Sequence, residues 1–174
     1  MQNLSERLFS APFLLKGEPA FLSSLIRSLP TNPVVLEIGT FRGLTAVLMA
    51  QQRKDIKVIT IDPHIGVPEM NLYSNPFIVK SNFEKYNMEK QITHYPVASE
   101  EYEPSEAYDL IFIDGNHSFE SVSHDYYKFE PFVKPGGFIV FHDFGSHEGV
   151  SKFCSGLIPL KEWICKSMFV IKKK

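Results

Sequence analysis

The stretch Asp109-Leu110-Ile111-Phe112-Ile113-Asp114-Gly115-Asn116-His117-Ser118-Phe119-Glu120 carries the pattern that decides the fold. Tyr108 to Ile113 is a nearly unbroken apolar run that stops on an acidic residue and a glycine. A strand without period-two alternation is buried on both faces, as in a parallel sheet covered by helices. The next residues, Phe119 to Phe132, read as a helix, closed by the turn Lys134-Pro135-Gly136-Gly137. A further strand, Phe138 to Phe141, then ends on His142-Asp143.

Upstream the same alternation recurs. Val34 to Ile38 is an apolar, β-branched strand that turns at Gly39 and Gly43 into a helix over Leu44 to Arg53. Lys57 to Ile61 is a second buried strand ending on Asp62-Pro63. Pro76 to Met88 is helical and leads to a weak strand near Thr93 to Val97. At the start, Glu18 to Leu29 places Phe21, Leu22, Leu25, Ile26 and Leu29 on one helical face before Pro30 and Pro33 end it. At the other end, Val150 to Leu157 forms a last helix, and Trp163 to Cys165 pairs with Met168 to Ile171 as a hairpin. Strand and helix in alternation define an α/β protein built on one doubly wound, Rossmann-like, mostly parallel sheet.

The 174 residues suit a single domain over 1–174, with residues 1–33 as a lead-in and helix. Residues 1–17 read as an irregular segment with a short amphipathic piece. Apolar residues are 44% and charged residues 22%, which excludes wholesale disorder. A net charge of -2 lacks the basic excess of a nucleic-acid binder. The closing Lys172-Lys173-Lys174 reads as a solvated tail. Two cysteines, Cys154 and Cys165, make neither a disulfide framework nor a four-ligand zinc site. Glu6, Arg7 and Lys16 interrupt any signal-peptide core, and no run reaches the ~18 apolar residues of a membrane span. The expectation is a small cytoplasmic protein that binds neither nucleic acid nor membrane.

Open α/β sheets bind ligands outside the carboxyl ends of their strands. Glu37, Asp62, Asp114, His142 and Asp143 all fall there. In Glu37-Ile38-Gly39-Thr40-Phe41-Arg42-Gly43, Gly39 permits a sharp turn and close approach of a ligand to backbone. Phe41 stands where a dinucleotide fingerprint needs its second glycine, so a nicotinamide cofactor fits poorly. Asp62 is placed to accept hydrogen bonds from both hydroxyls of a ribose, or else merely starts an Asp-Pro turn. If the strands ending at Ile113 and Phe141 are neighbours, about 4.8 Å apart, Asp114 and Asp143 could hold one divalent cation. His142 either joins them as a softer ligand or points away and orients Asp143. His117, three residues beyond Asp114, has the ordinary pKa for a general base near neutrality, or is a helix cap. His64 reads as a loop residue, His124 as structural, and His94 and His147 as residues without a visible partner. The segment Ile65 to Val79, with Met70, Tyr73 and Phe77, is a lid or a plain packed loop.

The Glu-x-Gly-x-x-x-Gly turn resembles the first motif of class I S-adenosylmethionine-dependent methyltransferases. The Asp114-Gly115-x-His117 and Pro135-Gly136-Gly137…His142-Asp143 elements are more specific. They resemble a metal-dependent subfamily that includes macrocin O-methyltransferases and cephalosporin-hydroxylase-like proteins, over roughly Val34 to Val150. This resemblance implies a seven-stranded sheet with a last, antiparallel strand. It implies S-adenosylmethionine as cofactor, bound by Glu37, Gly39, Thr40, Gly43, Asp62, Ser99 and Asp114. It further implies a divalent cation, Mg²⁺ or Mn²⁺, on Asp114, His142 and Asp143, with His117 as base. The implied reaction is O-methylation of a small-molecule or glycan hydroxyl, in a chain that could dimerise to complete its acceptor site. The competing expectation is a non-catalytic nucleoside-binding accessory protein of a biosynthetic pathway.

Overall fold

The computed structural model describes residues 14–65 and 74–174. Seven strands form one sheet: β1 Val34–Ile38, β2 Lys57–Ile61, β3 Ile92–Tyr95, β4 Tyr108–Ile113, β5 Val133–Phe141, β6 Lys161–Cys165 and β7 Met168–Lys172. Their order is β3-β2-β1-β4-β5-β7-β6. The first five pair in parallel, and β7 runs antiparallel to both β5 and β6. The antiparallel strand is therefore last in sequence but lies inside the sheet, with β6 at the edge.

Among the described residues five α-helices cover the sheet: α1 Glu18–Ser28, α2 Leu44–Ala50, α3 Pro76–Tyr86, α4 Phe119–Phe129 and α5 Glu148–Gly156. Val35, Val58, Leu110, Phe112 and Val140 pack under α1, α2 and α3. Leu36, Ile59, Ile111, Ile113 and Phe141 pack under α4 and α5 on the other face. Successive strand residues point to opposite faces, so burial on both sides explains the unbroken apolar runs.

The helix starts have local causes. Asn75 accepts from the Phe77 and Ile78 backbone N–H groups, and Pro76 occupies the first turn, where its missing donor costs nothing. Ser118 caps α4 by accepting from Ser121 N. The segment expected to extend α4 to Phe132 tightens instead into a 3₁₀ turn, Glu130–Phe132, because Pro131 cannot continue the α-helical ladder.

Two expectations are corrected. The Lys134–Gly137 turn is drawn into β5, and the lysine tail is not simply solvated. Lys172 closes β7, Lys173 N donates to Gly137 O at 2.9 Å and Gly136 N donates to Lys173 O at 2.8 Å. These bonds extend the β5–β7 ladder and use groups that a free tail would leave to water. Cys154 is buried and Cys165 half-buried, both as free thiols. No helix among the described residues is long and apolar enough to cross a membrane. Of the segment expected as a lid, Met70 and Tyr73 lie outside the described residues, while Phe77 is exposed at the start of α3.

Candidate active site

The chain reverses direction across the sheet between β1 and β4, and their carboxyl ends meet there. Asp114 N donates to Ile38 O at 2.8 Å. Gly39 then passes so close to β4 that a Cβ on it would lie 2.1 Å from Asp114 O, and its φ is +98°. Only glycine takes both that backbone conformation and that approach. Gly43, at φ +77°, has the Phe83 ring where a Cβ would stand.

The β1–β2 half of the site is held by main chain. Asp62 Oδ2 accepts from Phe41 N and Oδ1 from His64 N, each at 2.7 Å. These bonds fix the carboxylate's direction and pin the Gly39–Gly43 turn. The Asp62 carboxylate thus initiates a turn, as one of the two sequence-based readings has it. Thr40 and Thr60 share a hydrogen bond of 2.6 Å, and Thr60 donates onward to Glu37. Glu37 is fully buried and its Oε1 has no hydrogen-bond partner among the described residues. Burial, with the negative charge of Asp114 and Asp62 adding, raises its pKa well above the usual carboxyl range against the Thr60 bond.

The β4–β5 half is a cluster of charged side chains. Ile113 and Phe141 are register partners, so Asp114 and His142-Asp143 leave adjacent strand ends. His142 Nδ1 lies 3.0 Å from Asp114 Oδ1 and 3.3 Å from Asp143 Oδ2. His117 Nε2 lies 3.1 Å from Asp143 Oδ2 and 3.6 Å from Asp114 Oδ1, with no oxygen aligned on its N–H. Asp143 adopts φ +63°, and Ser146 donates to its Oδ1 at 2.9 Å.

The electrostatics follow from this crowding. Burial disfavours charge on His117, but Asp114 and Asp143 beside it outweigh that and hold its pKa up to about 9. For His142 the same contest ends at about 11. Asp143 feels burial too, yet His117, His142 and Ser146 hold its carboxyl well below the usual range. The two carboxylates are thus bridged by imidazoles rather than left to repel each other.

One ligand atom each from Asp114, His142 and Asp143 lies within 4.8 Å of the other two, spaced as ligands of a common ion would be. Two oxygens and one nitrogen suit a divalent cation. His117, Asp143 and His147 form a second such triangle sharing Asp143. The donor set therefore fits the expected metal.

His142 does not point away: its second nitrogen, Nε2, reaches Glu18 Oε2 at 3.1 Å. His147 and His94 also prove to have partners, against expectation. His147 stacks on His117 with ring centroids 4.1 Å apart and approaches Asp143 at 3.7 Å. His94 Nε2 meets His64 Nε2 at 2.9 Å, and burial next to His64 lowers the His94 pKa to about 4.

Ser99 follows β3 and neighbours Asp125 of α4, whose pKa burial raises to about 6 against that Ser99 contact. Asp125 is buried and its Oδ1 has no hydrogen-bond partner among the described residues. Its own helix, with exposed His124, had seemed merely structural; only the folded chain brings Asp125 beside Gly115. Glu18, Ser167 and Asp125 are the site-proximal residues that sequence reasoning missed. Glu18 stands at the start of α1 and Ser167 between β6 and β7, and no local signal marks either as part of a site.

Sheet order, the glycine turn and the acid-tipped strands together define the class as a Rossmann-like methyltransferase fold. The chain belongs to the family described as a methyltransferase domain, whose profile matches residues 36–144. It is similar to the uncharacterized protein R132 of Acanthamoeba polyphaga mimivirus, with 35% identity over 116 residues, 63% of this chain. The chain spans 50% of the length of that curated relative. Among solved structures it resembles the O-methyltransferase NovP, with a TM-score of 0.76 at 15% identity, covering 90% of this chain and 79% of that one. It also resembles the O-methyltransferase from Bacillus cereus solved in complex with S-adenosylhomocysteine, with a TM-score of 0.68 at 18% identity, covering 97% and 86%. These likenesses carry the seven-stranded architecture implied by the sequence resemblance.

Proposed function

We propose that the protein transfers a methyl group from S-adenosylmethionine to a hydroxyl oxygen of a small molecule or glycan, assisted by a divalent cation. The observation that carries this reading is the meeting, through the Gly39–Asp114 approach, of a nucleoside-type half with a carboxylate–imidazole half.

In the first half, Asp62 would accept from the ribose hydroxyls, its direction set by Phe41 N and His64 N. Gly39, Thr40 and Gly43 would line the aminoacyl end, where the unpartnered Glu37 Oε1 is an acceptor for an ammonium group. Ser99, with Asp125 behind it, would face the adenine. In the second half, Asp114, His142 and Asp143 would hold the cation. When bound, S-adenosylmethionine supplies an activated methyl and the cation supplies positive charge that acidifies a hydroxyl.

The chain's task is alignment and proton handling. His117 is about one-third exposed, but its Nε2 is buried against Asp114 and Asp143, so the ring would turn to bring that nitrogen to an acceptor at the rim. It holds a proton at neutral pH because Asp114 and Asp143 face it. With their charge shared by a bound cation, Asp114 and Asp143 would hold that proton less strongly, and His117 Nε2 could then accept the acceptor's proton. The negative net charge supports an acceptor other than nucleic acid, and a homodimer would give the acceptor site further walls.

Calorimetric titration with S-adenosylhomocysteine tests the reading. Micromolar binding that disappears in Asp62→Ala is the expected result. No binding by the folded wild-type protein, with or without Mg²⁺ or Mn²⁺, overturns it.

A further inference from the structure

We propose that Glu18 is a positioning residue: it fixes the proton of His142 on Nε2 and so presents Nδ1 as a nitrogen ligand, making the site one for a borderline divalent metal. The inference rests on the metal-assisted reading above and deepens it, because it specifies the ligand atom and the class of cation.

The argument is one of hydrogen-bond accounting. Glu18 opens α1 and is 0% exposed. Its Oε1 accepts from Ser167 N at 2.8 Å and from Ser167 Oγ at 2.6 Å. Its Oε2 accepts from Leu15 N at 2.7 Å and meets His142 Nε2 at 3.1 Å. Two of those donors are backbone amides, which can only donate. A carboxylate offers acceptors alone, so the fourth contact is satisfied only if His142 Nε2 carries hydrogen. In the metal-free chain Nδ1 faces Asp114 Oδ1 and Asp143 Oδ2 and carries hydrogen as well. A bound cation would take the place of that hydrogen and leave the Nδ1 lone pair as the ligand, because Nε2 without its hydrogen would face Glu18 as acceptor against acceptor in a buried place, a costly arrangement.

Metal-bound histidines are commonly oriented by a carboxylate on the far ring nitrogen, which also makes the ligating nitrogen more basic. Here that carboxylate comes from a helix lying 124 residues away in sequence. An oxygen–nitrogen–oxygen donor set favours Mn²⁺, Co²⁺ or Zn²⁺ over Mg²⁺, which prefers oxygen ligands alone.

The test is titration of the metal-free full chain with MnCl2 and MgCl2, for wild type, Glu18→Gln and His142→Asn, with folding followed by thermal unfolding. Wild type should bind Mn²⁺ at least about tenfold more tightly than Mg²⁺. In Glu18→Gln the side-chain amide donates to His142 Nε2, moves the ring proton to Nδ1 and should weaken Mn²⁺ about 10- to 100-fold. Mg²⁺ should weaken less, and S-adenosylhomocysteine binding should hold.

Should the glutamine variant fail to fold, histidine ¹⁵N NMR of the wild-type protein with Zn²⁺ gives the same answer. Nε2 protonated and Nδ1 shifted by metal supports the proposal. Nδ1 protonated in the metal-bound protein, or unchanged Mn²⁺ affinity in His142→Asn, overturns it while leaving a metal on Asp114 and Asp143. No divalent ion binding to wild type overturns both this inference and the metal-assisted reading, while cofactor binding would still stand or fall on its own titration.

Discussion

The two halves of the site are built in opposite ways. At the ends of β1 and β2 the ligating groups are set by main chain: Asp62 is fixed by two backbone amides and Gly39 by its own φ and contact with Asp114. The partners of Asp62 there come from the turn after β1 and the turn after β2, while Phe83 of α3 packs against Gly43 and the end of β4 against Gly39. At the ends of β4 and β5 side chains hold one another. His142 alone contacts Asp114, Asp143 and Glu18, the last from the opposite end of the chain. A half made of backbone is pre-formed and tolerant of ionic conditions. A half made of crowded carboxylates and imidazoles has its charge state decided by what binds.

Breaking the backbone half should have the largest effect. Gly39→Ala must find room for a Cβ 2.1 Å from Asp114 O at a φ of +98°. We expect a loss of roughly 3 kcal/mol or more in stability and no measurable S-adenosylhomocysteine binding, read by thermal unfolding and calorimetry. Retained binding with an unchanged melting temperature would show that the turn is not a rigid cradle.

Breaking the side-chain half should separate the two functions. Asp143→Asn keeps shape but loses one charge beside His117 and His142. Divalent-metal affinity should fall about 100-fold, because ligand charge sets affinity in such sites, while cofactor binding should persist. Equal loss of both would mean that the halves are not independent.

The smallest effect sharpens the boundary behind Ser99. Burial raises the Asp125 pKa to about 6, above the ordinary aspartate range, so folding favours its neutral form. Its penalty is absent below about pH 4, grows as pH rises through that interval and is complete above pH 6. Asp125→Asn should therefore stabilise the free protein by on the order of 2 kcal/mol at pH 7 and by almost nothing at pH 4. Chemical denaturation at the two pH values measures this. A gain of equal size at both would remove ionisation as its cause.

Much of this was legible in order along the chain. The strands Val34–Ile38, Lys57–Ile61 and Tyr108–Ile113 have the bounds their apolar runs predict, because burial on both faces keeps their interiors apolar apart from Glu37, Thr60 and Asp109. Asp114, His117, His142 and Asp143 were recognisable as strand-end and turn residues, and the register of Ile113 on Phe141 brings them together. Less legible were the tail and the isolated histidines. The lysines look solvated until Lys173 pairs its main chain with Gly136 and Gly137. His64 and His94 carry no local mark of belonging to each other, yet adjacent parallel strands deliver them to one point.

The sequence by itself determined the alternation of strands and helices, the glycine turn and the placing of acids at strand ends. All of these follow from local periodicity, φ requirements and the length of apolar runs. Only the tertiary structure decided which nitrogen of His142 faces the acids and which partner holds the other. That depends on Glu18 and Ser167, 149 residues apart, meeting in a buried place where every donor must find an acceptor. Hydrogen-bond satisfaction in the interior is a property of the closed fold, and no window along the chain contains it.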